Sequence, residues 1–181
     1  MSSFPEVFSA LLAERGLSES EAYLFLNPDY SKLFDPLLLL DMEKARDRVL
    51  MAIKNNECIA IFSDYDADGI PGAVIFSDFF RLIGYENYLF YIPHRHDEGF
   101  GLNTEAIEEL ARKGVKLLIT VDCGVADVDE VILANKLGLE VIITDHHEPR
   151  DTLPPALAVV NPKRLDSTYP FKELCGSAVG F

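Results

Sequence analysis

The sequence is poor in cysteine, in basic side chains and in long apolar runs, and each shortage excludes a class of protein. Cys58, Cys123 and Cys175 are odd in number, far apart and without a C-x-x-C pairing. This argues against a zinc site and indicates free thiols in a reducing compartment. No apolar run reaches the ~18 residues of a membrane span, and the N-terminus lacks the basic and apolar regions of a signal peptide. We therefore expect a cytoplasmic protein without a membrane segment.

Basic residues are outnumbered, with 16 Lys and Arg against 30 Asp and Glu, for a formal net charge of −14. Nucleic-acid binding normally uses a basic face. Even two bound divalent ions would leave the balance acidic. The charge therefore weighs against tight, extended binding of nucleic acid by this segment, but it leaves cleavage at a metal centre open.

What the sequence does contain is a globular composition, with 49% apolar residues over 181 positions. That length fits one domain, or one and part of a second. Residues 1–57 have helical periodicity, with predicted helices at 5–15, 20–26 (with Ser20 as a possible cap) and 41–55. Residues 58–181 alternate strands and helices. The predicted strands are 59–62, 88–92, 117–121, 141–144 and 158–160, and the predicted helices are 69–83, 104–113 and 126–137.

This alternation predicts an α/β fold with a doubly wound, mainly parallel sheet and helices on both faces, preceded by the short helical segment. Gly84, Gly114 and Gly138 each follow a predicted helix, where a left-handed residue is needed. A further helix begins near residue 171 and is cut off at Phe181. We interpret this as a truncated domain.

Three predicted strands end directly on side chains that bind metals. The groups after strands 59–62, 117–121 and 141–144 are, in order, Asp64, Asp66 and Asp68; Asp122; and Asp145, His146 and His147. The carboxyl ends of parallel strands face one crevice, so these groups should converge. Two carboxylates ~4 Å apart repel by roughly 1 kcal/mol in water and about 4 kcal/mol at an effective dielectric near 20. A divalent cation between them is therefore expected.

The first acidic run also has the beginning of an EF-hand, with Asp64, Asp66 and Asp68 followed by Gly69. The twelfth position of that loop should be Glu, but it is Ile75, and a strand precedes the run in place of a helix. The calcium-loop interpretation fails. A solvated acidic turn remains an alternative, although the three strand ends together favour a site.

His146 and His147 could be a surface pair formed by chance, but their place after a buried strand favours the crevice. From an extended backbone, both cannot point the same way. We expect one to ligate metal as neutral imidazole and the other to face a substrate. The mixed Asp and His ligand set suits Mn²⁺ or Mg²⁺ better than zinc.

Arg95 lies in the unusual run P-H-R-H-D-E-G-F-G-L at 93–102, where its planar guanidinium could hold a phosphate. A solvated surface loop is the alternative there. For Lys163 and Arg164, a solvated basic turn is the default. Phe100 and Tyr65 are the only nearby aromatics that could stack on a base.

These motifs together resemble the RecJ-type single-stranded-DNA-specific exonucleases of the DHH phosphoesterase superfamily. The resemblance rests on SDYDADG, TVDCG and TDHH in order, on the linking PxRxxEGxGL pattern, and on AVVNPKR and YPFKELCG, and it covers nearly everything from Ile59 to Phe181. After Asp68 and Gly69 the family usually has small hydroxyl residues, where this chain has Ile70, Pro71 and Gly72.

The resemblance implies a role for each residue of the predicted site. Two Mn²⁺ or Mg²⁺ ions would be held by the ligands Asp66, Asp68, Asp122 and His146, with Asp64 as a further candidate. Asp122 would bridge the ions, His147 would contact the scissile phosphate, Asp145 would orient the histidines, and Arg95 would bind substrate phosphate.

The implied activity is metal-dependent 5′-to-3′ digestion of single-stranded DNA in repair and recombination. The family's fourth motif and its C-terminal nucleic-acid-binding domain would lie beyond residue 181, so the site is expected to be incomplete. Two alternatives stay open. One is a DHH phosphatase acting on short oligonucleotides, cyclic dinucleotides or pyrophosphate, which the residues before Asp64 disfavour. The other is a non-catalytic DHH scaffold, although such relatives have usually lost metal ligands.

Overall fold

A computed structural model describes residues 5–181, apart from the side chain of Glu19. The chain divides into two compact units, residues 1–35 and 36–181. This division precedes the third helix, whereas the sequence pattern predicts a boundary after residue 57. Within the described residues, no helix is both long and apolar enough to span a membrane.

The described part of the first unit contains two short helices, α1 (Glu6–Glu14) and α2 (Glu19–Leu26), and a 3₁₀ turn at Tyr30–Lys32. Helix α2 begins with a capping box. Ser18 accepts the amide N–H of Glu21, and the Glu21 carboxylate accepts the amide N–H of Ser18 at 2.8 Å. The cap is therefore Ser18 and not the predicted Ser20, because only Ser18 stands three residues before a glutamate that can reach back.

The second unit is an α/β fold built on five strands. Its elements in chain order are a 3₁₀ turn (Pro36–Leu38), α3 (Met42–Lys54), β1 (Ile59–Ser63), α4 (Gly69–Ile83), β2 (Tyr88–Tyr91), α5 (Thr104–Arg112), β3 (Leu117–Val121), α6 (Val128–Lys136), β4 (Glu140–Thr144), β5 (Ala158–Val160) and α7 (Gly176–Gly180). The sheet order is β2-β1-β3-β4-β5, and every pairing is parallel.

The predicted doubly wound fold is confirmed. Successive side chains of a strand point to opposite faces of the sheet, and each face packs against its own set of helices. Ala60 and Phe62 of β1 pack into one apolar cluster with α5 and α6. Ile59 and Ile61, which point to the opposite face, pack into a second cluster with α3, α4 and α7. A sheet covered on both faces needs strands that are apolar throughout, and β1 and β3 are buried along their whole length.

Most element boundaries agree with the predictions to within two residues, and the three predicted glycine caps all have positive φ. The last helix differs more. It begins at Gly176 and not near residue 171, since residues 172–173 form a turn and the residues on either side of that turn have no regular structure.

Arg164 is not the solvated residue that the sequence suggested. Its guanidinium is largely buried and pairs with Asp41 at 2.7 Å and with Asp166 at 2.9 Å. Asp41 also accepts the amide N–H of Val159 at 3.1 Å. The pair therefore ties the segment before α3 to the outer strand β5.

Candidate metal centre

The acidic cluster, formed by Asp64, Asp66, Asp68, Asp122 and Asp145, lies at the carboxyl edge of the sheet, where the strand order reverses between β1 and β3. Ser63, Val121 and Thr144 are in register at the ends of β1, β3 and β4. The ladder continues by one residue, because the Asp64 amide donates to the Val121 carbonyl at 3.2 Å and the Asp122 amide to the Thr144 carbonyl at 3.0 Å. Open α/β sheets bind ligands at such a reversal.

The turn after β1 is organised by Asp66, whose Oδ1 accepts the amide N–H groups of Asp68 at 2.8 Å and Gly69 at 2.9 Å. These bonds lower the pKa of Asp66. Only glycine fits at position 69, since a Cβ there would lie 2.4 Å from the carbonyl oxygen of Asp64. Asp64 is buried, and that burial raises the pKa of its carboxyl. The turn therefore directs two carboxylates into the crevice.

Asp122 lies at the centre of the cluster. It belongs to two groups of possible metal ligands, one with Asp64 and Asp66 and the other with His146 and His147. Within each group, the ligand atoms lie within 4.8 Å of one another. Its backbone is left-handed, with φ 62°, which aspartate tolerates better than most residues. Shared membership of both groups is the geometry that a bridging carboxylate needs.

The surroundings of Asp122 disfavour its charge unless a cation is present. The residue is 1% exposed, and burial, together with Asp68 and Asp66, raises the pKa of its carboxyl to about 8. Its Oδ1 is buried without a hydrogen-bond partner among residues 5–181. Nε2 of His146 lies 3.1 Å from that oxygen, but outside hydrogen-bond geometry. A buried, unsatisfied carboxylate oxygen among other carboxylates fits a divalent metal ion.

The two histidines are arranged by Asp145. Oδ1 of Asp145 accepts the amide N–H of His146 at 2.7 Å and of His147 at 3.1 Å, and it lies 2.7 Å from Nδ1 of His147. Its Oδ2 accepts the amide N–H of Val125 at 2.9 Å. Burial would raise the pKa of Asp145, but the bonds from His147 and Val125 outweigh it and lower that pKa. The same contact raises the pKa of His147.

The expectation that the two imidazoles must point in different directions is wrong. The backbone bends at His147, so the strand geometry behind that expectation does not apply. The ring centroids of His146 and His147 are 4.7 Å apart, and both rings lie beside Asp122. Because Nδ1 of His147 faces Asp145, its Nε2 is the nitrogen left for a ligand or substrate.

Asp68 is held differently from the other acids. Its Oδ2 accepts the amide N–H of Gly176 at 2.6 Å, and its Oδ1 accepts that of Ser177 at 2.8 Å. Burial would raise its pKa, but the bonds from Ser177 and Gly176 lower it. Its Oδ2 lies 3.6 Å from Nε2 of His146, at the margin of the cluster. Its role as a metal ligand stays a prediction.

Arg95 is exposed near the cluster, with its guanidinium carbon 5.1 Å from the ring centroid of Tyr65. Its charge acts to lower the pKa of Asp64. Phe100, on the same loop, packs edge-on against His147 with ring centroids 5.4 Å apart. The loop at 93–102 is therefore in contact with the site and is more than a solvated surface loop.

Two contributors to the site were missed by reasoning from the sequence. Gly176 packs so closely that a Cβ would lie 2.3 Å from Oδ1 of Asp122. Asn161 is fully buried, and its amide donates to the carbonyl of His147 at 2.9 Å. In the sequence, Gly176 and Asn161 were marked only by their places in the YPFKELCG and AVVNPKR runs of the resemblance. Their contacts could not be predicted, because each reaches a residue that is distant along the chain.

The chain is similar to known proteins in sequence and in fold. The model of the DHH family, N-terminal domain, matches residues 58–181. The single-stranded-DNA-specific exonuclease RecJ of Bacillus subtilis (strain 168) is 43% identical over 174 residues, which are 96% of this chain and 22% of that protein. A crystal structure of exonuclease RecJ bound to manganese has a TM-score of 0.73 at 32% identity and covers 82% of this chain and 37% of that one.

RecJ of Thermus thermophilus in complex with Mn²⁺ is also similar, with a TM-score of 0.69 at 26% identity, covering 99% of this chain and 27% of that chain. The chain thus spans well under half the length of the relatives it matches. Since the family model covers more than half of the sequence, the chain belongs to the DHH family.

Proposed function

We propose that this chain carries the metal-binding face of a phosphodiesterase that uses two Mn²⁺ or Mg²⁺ ions. The observation that carries the proposal is Asp122, a buried carboxylate with an unsatisfied oxygen that is shared by two groups of ligand atoms. Ions bound there would polarise a phosphate and lower the pKa of a water molecule.

The residues of the chain have distinct roles in this proposal. Asp66, Asp68, Asp122 and His146 would hold the ions, with Asp64 as a further ligand. Asp122 would be shared between the two ions.

His147 would contact the scissile phosphate through Nε2, because Nδ1 is engaged by Asp145. The hydrogen bond with Asp145 raises the pKa of His147. Asp145 therefore acts as a positioning residue, and His147 and Asp122 are the proposed catalytic residues.

For substrate, we propose single-stranded DNA, digested from the 5′ end during repair and recombination in the cytoplasm. The names of the similar RecJ proteins support the substrate. The exposed guanidinium of Arg95 supports a phosphate contact near the cluster. The free thiols of Cys58, Cys123 and Cys175 support a reducing compartment.

The test is digestion of end-labelled single-stranded DNA by this chain with Mn²⁺, beside an Asp122→Ala variant and a chelator control. Products that shorten stepwise from the 5′ end in the wild type alone would show that the site acts without the fourth motif, and an absence of cleavage would mark this chain as inactive on its own. Cleavage that persists in Asp122→Ala would refute the site. Loss of label from the 3′ end would refute the proposed polarity.

A further inference from the structure

Residues 93–102, called the 93–102 loop here, connect β2 to α5 and bring two exposed side chains to the site. Arg95 lies over Tyr65, and Phe100 packs against His147. Neither side chain is buried, since Phe100 is 55% exposed and Arg95 is also exposed. Burial of Arg95 and Phe100 therefore does not hold the loop in place, and other contacts must fix its conformation.

The first half of the loop is held by Glu98. Its Oε2 accepts the amide N–H of His94 at 2.6 Å, and its Oε1 accepts the hydroxyl of Tyr91 at 2.5 Å and the side-chain amide of Asn103 at 3.3 Å. Asn103 in turn caps α5 by accepting the amide N–H of Ala106 at 2.8 Å. One carboxylate thus joins the loop to the end of β2 and to the start of α5.

The second half of the loop is held by Asp127 at the start of α6. Its Oδ2 accepts the amide N–H of Leu102 at 2.8 Å. Gly101 has φ 82°, and a Cβ there would lie 2.7 Å from the same oxygen. The close approach of Gly101 to Asp127 fixes the end of the loop. The turn that carries Arg95 is closed by the amide N–H groups of Asp97 and Glu98, which donate to the His94 carbonyl at 3.1 and 2.9 Å. The Glu98 carboxylate then joins this turn to Tyr91 and Asn103.

Tyr91 makes the Glu98 anchor rigid. Its ring stacks on the fully buried Phe62, with centroids 5.3 Å apart and planes 8° from parallel. The hydroxyl that Glu98 accepts is therefore carried by a partly buried ring that packs against the apolar core of the sheet. A hydrogen bond to an immobile donor restrains the loop more than one to a mobile surface group, because less conformational entropy remains to be lost.

We propose that Glu98 is a positioning residue of the metal centre, whose carboxylate keeps Arg95 at the mouth of the acidic cluster. Glu98 acts through the loop and not on the reacting atoms. Its effect on the loop follows from the contacts above, whereas its consequence for nucleic acid rests on the proposed function.

The experiment compares Glu98→Ala, Glu98→Gln and Glu109→Ala with the wild type. Glu109 is a matched control because it pairs with Lys113 at 2.6 Å on the exposed side of α5. Three quantities are measured: amide hydrogen exchange of His94, Mn²⁺ affinity by calorimetry, and affinity for a short 5′-phosphorylated oligothymidylate with Mn²⁺ present.

In Glu98→Ala we expect His94 to exchange roughly tenfold faster or more, since a charge-assisted hydrogen bond is lost. Oligothymidylate affinity should fall by about the same factor, while Mn²⁺ affinity changes less than about twofold, because Glu98 is not among the metal-binding groups. Glu98→Gln should recover most of the protection, since the amide oxygen can still accept from His94 and Tyr91 can accept from the amide. Glu109→Ala should match the wild type.

Unchanged exchange of His94 in Glu98→Ala would overturn the proposal. Equal losses of Mn²⁺ and oligothymidylate affinity would also overturn it, because they would indicate general disruption and not a loop effect. If the wild type fails to bind oligothymidylate, the proposed function is refuted, and the exchange of His94 still decides whether Glu98 holds the loop.

Discussion

Replacing Asp122 by Asn should stabilise the metal-free protein while removing its response to Mn²⁺. Asparagine keeps the size of the side chain and tolerates the left-handed φ of 62°. It removes a charge that is buried beside Asp66 and Asp68 and that only a cation would balance. Its amide could also donate to those neighbouring carboxylates.

The magnitude follows from the pKa of Asp122, which is raised from 3.8 to about 8. A group with a raised folded-state pKa binds its proton more tightly when folded, so the cost of its ionisation is absent below about pH 4. That cost grows as the pH rises and is complete above about pH 8. At pH 7 the upper limit is about 4 kcal/mol, and we expect roughly 2–4 kcal/mol because neighbouring carboxylates share the charge.

The assay is urea unfolding of the wild type and Asp122→Asn between pH 5 and pH 8, with chelator and then with Mn²⁺. With chelator, the variant should be more stable, by a margin that grows with pH. With Mn²⁺ at about 100 times its dissociation constant, only the wild type should gain about 2.7 kcal/mol. The matched control is Asp145→Asn, which should lose about 1–3 kcal/mol because an amide cannot accept all the N–H groups that Asp145 now accepts.

The reasoning would be refuted if Asp122→Asn proved less stable than the wild type at pH 7 with chelator. A margin that stays constant from pH 5 to pH 8 would equally refute the electrostatic explanation. Stabilisation of the variant by Mn²⁺ to the same extent as the wild type would show that Asp122 is no ligand.

Three further predictions concern single contacts. By calorimetry, Asp122→Ala should abolish Mn²⁺ binding, whereas Asp145→Ala should weaken it by about 10–100-fold, since Asp145 only orients the histidines; equal affinities would contradict the bridging role. Gly176→Ala should destabilise by about 1–3 kcal/mol in urea unfolding and weaken Mn²⁺ binding, because its Cβ would lie 2.3 Å from Oδ1 of Asp122; unchanged values would show that the backbone yields there. Ser18→Ala should reduce the helicity measured by circular dichroism, because a cap contributes about 1 kcal/mol, and an unaltered spectrum would show that the capping box is not needed.

Much of the fold was predictable from the sequence because local rules coincide with the tertiary structure. The runs at 117–121 and 158–160 are strands with the predicted bounds, since short apolar segments beside glycine or proline residues have few other ways to be buried. Helix α4 likewise spans Gly69–Ile83 as predicted. Ser20 was the wrong cap because the choice between nearby serines depends on which one can exchange hydrogen bonds with Glu21.

The convergence of Asp64, Asp122 and Asp145 at one edge was also predictable from the sequence. Each follows a strand, and parallel strands in register place the residue after each strand side by side. The strand order and the left-handed turn at Asp122 were not predictable from the sequence, because they depend on how the whole sheet is wound.

The chemistry of the site, namely carboxylates and imidazoles at the ends of buried strands, can be recognised in the amino-acid sequence because strand period and glycine placement are local properties. The use of each group depends on the folded chain. The tertiary structure placed the amides of Gly176 and Ser177 on Asp68 and both imidazoles beside Asp122, and it tied the 93–102 loop to the core through Glu98. Those contacts join distant segments, and their geometry exists only once the packed sheet has brought the segments together.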